Sequence, residues 1–61
     1  MKRPTLSILP DGTEEWWLDG KLHREDGPAI INANGRQEWW LDGEQVDPVV
    51  HMVMINEKAR S

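Results

Sequence analysis

Glu15-Trp16-Trp17-Leu18-Asp19-Gly20 returns unchanged as Glu38-Trp39-Trp40-Leu41-Asp42-Gly43, 23 residues further on. A further match lies upstream, where Gly12 aligns with Gly35 at the same offset. Six consecutive identities at a fixed spacing make this an internal repeat, and a repeat of this length suits short strands joined by turns. The punctuation agrees. All five glycines follow Asp or Asn: Asp11-Gly12, Asp19-Gly20, Asp26-Gly27, Asn34-Gly35 and Asp42-Gly43. Asx-Gly is a strong hairpin signal, because a type I′ turn needs positive φ at both central residues.

The turns bound strands near 5–9, 13–18, 21–25, 28–33, 36–41 and 44–46. Pro28 has no N–H and belongs at the start of its strand. The expected fold class is mainly β, a small α+β protein: an antiparallel β-meander of about five to six short strands with a C-terminal helix. Asp47-Pro48 supplies an N-cap followed by Pro at the first helical position. The segment after it ends in basic residues, which suit a helix C-terminus. The β-branched Val49, Val50, Val53 and Ile55 leave an edge strand as the alternative. One domain is expected, with repeat 1 about 11–33, repeat 2 about 34–47 and a cap over 48–61.

Two-residue turns would fix the register. Around Asp19-Gly20, Trp17 faces Leu22, Trp16 faces His23 and Glu15 faces Arg24 as a cross-strand ion pair. Around Asn34-Gly35, Ile31 faces Glu38, Ile30 faces Trp39 and Ala29 faces Trp40. Around Asp42-Gly43, Trp39 faces Val46 and Trp40 faces Gln45. One face then collects Trp16, Leu18, Ile30, Trp39, Leu41 and Val46; the other collects Trp17, Leu22, Ala29, Ile31 and Trp40. A three-residue turn with a bulge would shift some of these pairs.

Composition narrows the function classes. The chain has 61 residues, no cysteine, a net charge of −4, and four Trp as its whole aromatic set. A chain this small buries little, so packing, good turns or self-association must stabilise it. Disulfides and Cys-type zinc sites are excluded. An acidic chain repels phosphate backbones, so nucleic acid is not an expected partner. No apolar run approaches the roughly 20 residues that span a bilayer. No signal peptide is legible, and a cytoplasmic protein is expected.

Adjacent Trp residues in a strand point to opposite faces, so each pair sets one indole above the sheet and one below. A small sheet with one helix covers one face well, and the other keeps partly exposed Trp. Trp on both faces thickens a thin core, serves as contact surface, or divides the two roles within each pair. Candidate partner-binding residues are Trp16, Trp17, Trp39, Trp40, His23 and Arg24. His23 reads as a packed cross-strand residue, with metal ligation or a proton switch as its alternatives. Met52-Val53-Met54 packs on the sheet or forms an adaptable contact surface. No nucleophile–base constellation is present, so no enzyme, cofactor or metal is expected.

The stretch from Gly12 to Gly43, with EWWLDG in both copies and His23-Arg24-Glu25-Asp26-Gly27-Pro28-Ala29 between them, resembles the MORN-variant repeats common in bacteriophage proteins. The resemblance spans residues 11–46. It implies a meander of β-hairpins and a role in interaction rather than catalysis, with a bacterial host protein as the partner of a phage accessory factor. The second copy departs from the pattern: Glu44-Gln45-Val46-Asp47-Pro48 stands where another His-Arg-x-Asp-Gly-Pro would follow, as in a terminating repeat. Alternative expectations are a homodimer joined through the uncovered Trp face, and a carbohydrate binder stacking sugars on exposed Trp beside Glu14, Gln37, Glu38 and Gln45.

Overall fold

The computed structural model describes residues 3–60, with the side chain of Arg60 outside that description. The elements are β1 (Thr5–Ile8), β2 (Glu14–Leu18), β3 (Lys21–Leu22), β4 (Ile30–Ile31), β5 (Gln37–Leu41), β6 (Glu44–Val46) and α1 (Pro48–Arg60). All strand pairs are antiparallel, in the order β1-β2-β4-β5-β6, with β3 also on β2. The meander and C-terminal helix are as the turns and the Asp-Pro start predict. Asp47 caps α1 by accepting the Val49 N–H on Oδ1 at 3.1 Å, and this specific start prevails over the β-branched propensity of the tail.

The Asx-Gly turns fall into two classes. Asp19-Gly20 and Asp42-Gly43 have φ of 51° and 77°, and 51° and 81°, the double positive φ of a two-residue hairpin turn. The expected pairs Trp17–Leu22, Trp39–Val46 and Trp40–Gln45 all form. At Asp11-Gly12 and Asn34-Gly35 only the glycine has positive φ, 95° and 90°. There the Asx side chain accepts the N–H two residues on: Thr13 to Asp11 at 2.9 Å, Arg36 to Asn34 at 3.0 Å. The result is a three-residue connection ending in a left-handed glycine, the type I turn with a bulge.

That second class corrects the register between β4 and β5. Ile30 faces Glu38 and Ile31 faces Gln37, one residue away from the pairing a two-residue turn gives. Since side chains alternate, the slip exchanges faces. Ile30 joins Trp17, Leu22 and Trp40, while Ala29 and Ile31 join Trp16, Leu18, Trp39, Leu41 and Val46. Strands β3 and β4 are also much shorter than 21–25 and 28–33.

The reason for their shortness lies at one residue of β2. The Trp16 N–H donates to the Ala29 carbonyl at 2.8 Å, and the Trp16 carbonyl accepts the His23 N–H at 3.0 Å. Both ends of the segment 23–29 are thus fastened to a single residue, and the residues between them leave the sheet as a cinched loop. β3 and β4 are the two halves of one descending strand, interrupted there. The expected Glu15–Arg24 ion pair does not form, because Ile30 takes the place beside Glu15 and Arg24 lies in the loop.

The repeat is visible in the hydrogen bonds. Leu9 N–H to Thr13 O and Asn32 N–H to Arg36 O are both 2.8 Å, and Gly12 to Leu9 and Gly35 to Asn32 are 2.9 and 2.8 Å. Each pair is offset by the same spacing as the tryptophans. The equivalence therefore reaches upstream of residue 11, making β1-β2-β3 and β4-β5-β6 matching units.

The core is thin. Ala29, Ile30 and Leu41 are its buried apolar residues, and the Cα extents are 39 × 24 × 15 Å. The helix packs against β5 through buried His51 and half-buried Ile55. The His51 ring meets Trp39 edge-on at 4.9 Å between centroids. The remaining apolar helix residues Val49, Val50, Met52, Val53 and Met54 are exposed. Of the two expectations for Met52-Val53-Met54, packing on the sheet is the one the fold does not realise.

Candidate functional site

The loop from His23 to Ala29 is a self-contained scaffold. His23 is 4% exposed. Its Nδ1 accepts the Asp42 N–H at 3.0 Å, which places the ring proton on Nε2, 3.2 Å from Glu25 Oε2. With Nδ1 in use as an acceptor, the Asp42 carboxylate 3.4 Å away has no proton to share with it. The Arg24 guanidinium lies over the Trp16 ring, 4.2 Å from its centroid. It donates from Nε to Asp26 at 2.9 Å and from Nη1 to the Pro28 carbonyl at 3.1 Å. A Cβ on Gly27 would lie 3.0 Å from the Arg24 Cζ, a tight contact to which the guanidinium would have to yield. Ala29 is fully buried.

The loop also receives the helix. His51 Nε2 donates to the Arg24 carbonyl at 2.6 Å, and Lys58 pairs with Glu25. The Lys58 hydrogen bond, with a smaller contribution from His23, holds the Glu25 carboxyl below its ordinary range, against the opposing effect of desolvation. The same bond raises the Lys58 ammonium. Among the described residues, no group of three His, Cys, Asp or Glu side chains converges as a metal site would require. Nor is any helix long and apolar enough to cross a membrane.

The four tryptophans divide into two rows. Trp16 and Trp39 share the helix-side face, half-buried, one beneath Arg24 and the other against His51. Trp16 Nε1 is buried with no hydrogen-bond partner among the described residues. Trp17 and Trp40 lie on the opposite face, where no helix packs. Trp17 is 37% exposed. Each indole N–H donates to the glutamate two residues earlier on the same face: Trp17 to Glu15 at 3.2 Å, Trp40 to Glu38 at 3.3 Å. Ile30 is the register partner of both glutamates, so it lies between the two Trp/Glu rows.

Of the six candidate contact residues, the structure brings Trp16 and Arg24 together and sets Trp17, exposed, and Trp40, half-buried, on the face away from the helix. His23 is held inside. Sequence reasoning missed Glu15 and Glu38 as indole acceptors, although the spacing Glu-x-Trp in both copies puts the two side chains on one face of a strand. It also missed His51 as the residue that docks the helix.

Comparison of this chain with protein-family models, with curated proteins and with solved structures gives no match.

Proposed function

We propose that this protein is a non-enzymatic protein–protein interaction module whose contact surface is the open sheet face bearing Trp17 and Trp40. The observation that carries the reading is the duplicated Trp/Glu row. Two indoles, Trp17 exposed and Trp40 half-buried, stand at equivalent positions on the face away from α1, their N–H groups already engaged by Glu15 and Glu38. An indole whose polar atom is satisfied within its own chain offers an apolar ring at little further desolvation cost. Trp is also the residue type that most often dominates binding energy. Glu15 and Glu38 give the surface an acidic border, so the partner surface it suits is apolar at its centre and basic at its edge. Trp16 and Trp39 serve the scaffold in this account. The resemblance to phage-rich MORN-variant repeats extends the proposal to a bacterial host protein as the partner.

Affinity capture from a bacterial lysate with the native chain, beside Trp17→Ala and Trp40→Ala chains of retained fold, tests the proposal. A defined protein recovered by the native chain and lost from both variants supports it. Equal recovery by all three contradicts it.

A further inference from the structure

We propose that the free edge of β1 is a self-complementary docking edge, and that two copies of this chain join there as antiparallel β1 strands about a twofold axis at Ser7. This goes beyond the Trp-face reading and does not depend on it.

Trp16 turns both its N–H and its carbonyl toward the side of β2 that holds β3 and β4. Its partner across the other side is Leu6, and Glu14 is likewise opposite Ile8. These are therefore the non-hydrogen-bonded positions of the β1–β2 ladder, and Leu6 and Ile8 point their N–H and carbonyl groups outward. In the second unit the equivalent residues are Ala29 and Ile31. There the same edge docks on the preceding unit: Ala29 accepts the Trp16 N–H, and Ile31 pairs with Glu14. β1 thus presents, with no described strand against it, the edge that its own repeat uses for docking.

The opposite end of the sheet does not offer the matching surface. β6 is three residues long, carries Glu44 at its exposed start, and runs through Asp47 into α1, which packs on β5. Head-to-tail growth is blocked there, whereas two β1 edges can meet and close.

The sequence of the edge is close to palindromic about Ser7: Arg3-Pro4-Thr5-Leu6-Ser7-Ile8-Leu9-Pro10-Asp11. In an antiparallel pair centred on Ser7, Leu6 of each copy meets Ile8 of the other, and each donates and accepts. The pairing spans Thr5 to Leu9: Pro4 precedes it, and Pro10 leaves it, because the Gly12 N–H closes a turn on the Leu9 carbonyl. Moving the pair by two residues sets either the Pro4 nitrogen against the Ile8 carbonyl or Leu6 against the turn that Pro10 opens. The prolines therefore select one register. The seven residues from Pro4 to Pro10 carry no charge, although charged residues make up 30% of the chain. All four residues of β1 are exposed, Ile8 to 65%. An uncharged exposed edge of this kind is what stable monomers avoid. The chain exposes 4610 Å², against about 4100 Å² for a compact monomer of this mass.

Sedimentation of the full chain tests the proposal, read beside Ile8→Pro, Ile8→Lys and, as a control, Val53→Glu. Ile8 directs its N–H away from β2, so proline there removes no bond within the chain. The expected result is a concentration-dependent mass of twice 7.1 kDa for the native and Val53→Glu chains. The two Ile8 variants remain at the single-chain mass, with the native Trp fluorescence as the check on folding. Should Ile8→Pro unfold, Ile8→Lys, which keeps the backbone donor and places charge on the edge, decides the matter. A native chain that stays single at millimolar concentration overturns the proposal. So does a dimer that survives both Ile8 changes, or one lost in Val53→Glu, which would assign the contact to the helix.

Discussion

Nδ1 of His23 accepts the backbone N–H of Asp42 at 3.0 Å, fastening the cinched loop of the first unit to the hairpin turn of the second. Beside it the Gly43 N–H donates to the Leu22 carbonyl at 2.9 Å, and Arg24 N–H to the Trp40 carbonyl at 3.2 Å. The imidazole is the side-chain member of this seam. His23→Ala leaves the Asp42 N–H without its acceptor in a partly buried position, which costs about 1–3 kcal/mol. Urea unfolding followed by Trp fluorescence reads this as a lowered midpoint. A midpoint unchanged from the native chain contradicts the assigned role.

Gly27→Ala is expected to act through Arg24. The φ of Gly27 is not positive, so the backbone tolerates alanine, and the three atoms nearest the added methyl all belong to the guanidinium. Displacing it from the Trp16 ring costs on the order of 1 kcal/mol. In an Arg24→Ala background the same change is nearly neutral, because the obstacle is gone. A double-mutant cycle measures this, and simple additivity would count against the loop account.

The sequence disclosed the hairpins because their determinants are local. Asp19-Gly20 and Asp42-Gly43 dictate their turns, and register follows within a few residues. Asn34-Gly35 looks the same on paper, yet it forms the three-residue turn because Asn34 Oδ1 takes the Arg36 N–H. That one local competition exchanged the faces of Ala29, Ile30 and Ile31. The cinched loop was illegible for a different reason. Its fastening to Trp16 and its support of His51 join residues distant in sequence, which no spacing rule reports. The Trp-Trp geometry was readable as one indole per face. Which indole stays open was not, since that depends on where α1 lands.

Helix docking carries a pH dependence through Glu25 and Lys58. The Glu25 carboxyl is lowered in the fold from an ordinary value of 4.5, so its contribution is fully present above that value. It is lost as pH falls through the lowered pKa, where folding must compete with protonation. The Lys58 ammonium is raised from 10.5, so its contribution holds below that value and is lost as pH climbs beyond it. Thermal midpoints in Lys58→Ala should fall less steeply below pH 4.5 than those of the native chain. Identical acid limbs would show that the pair does not contribute. Both groups are largely solvent-exposed, so the effect is small and diminishes in salt.

Trp16 and Trp39 are expected to answer substitution differently. Trp16 Nε1 is buried with no partner among the described residues, an arrangement that itself costs about 1–3 kcal/mol. Trp16→Phe removes that atom and keeps a ring beneath Arg24, so stability changes by less than about 1 kcal/mol, the lost area and the relieved N–H offsetting each other. Trp39→Ala removes the ring that His51 packs against and costs about 2–4 kcal/mol, with loss of helix signal in circular dichroism. Equal destabilisation by the two changes contradicts the division of roles.

The most direct test of the contact surface is an NMR titration of the four indole N–H resonances with a captured partner. The Trp17 and Trp40 signals should shift or broaden as partner is added, while those of Trp16 and Trp39 stay in place. Movement of Trp16 and Trp39 with Trp17 and Trp40 unaffected would put the binding surface on the helix side and contradict the account.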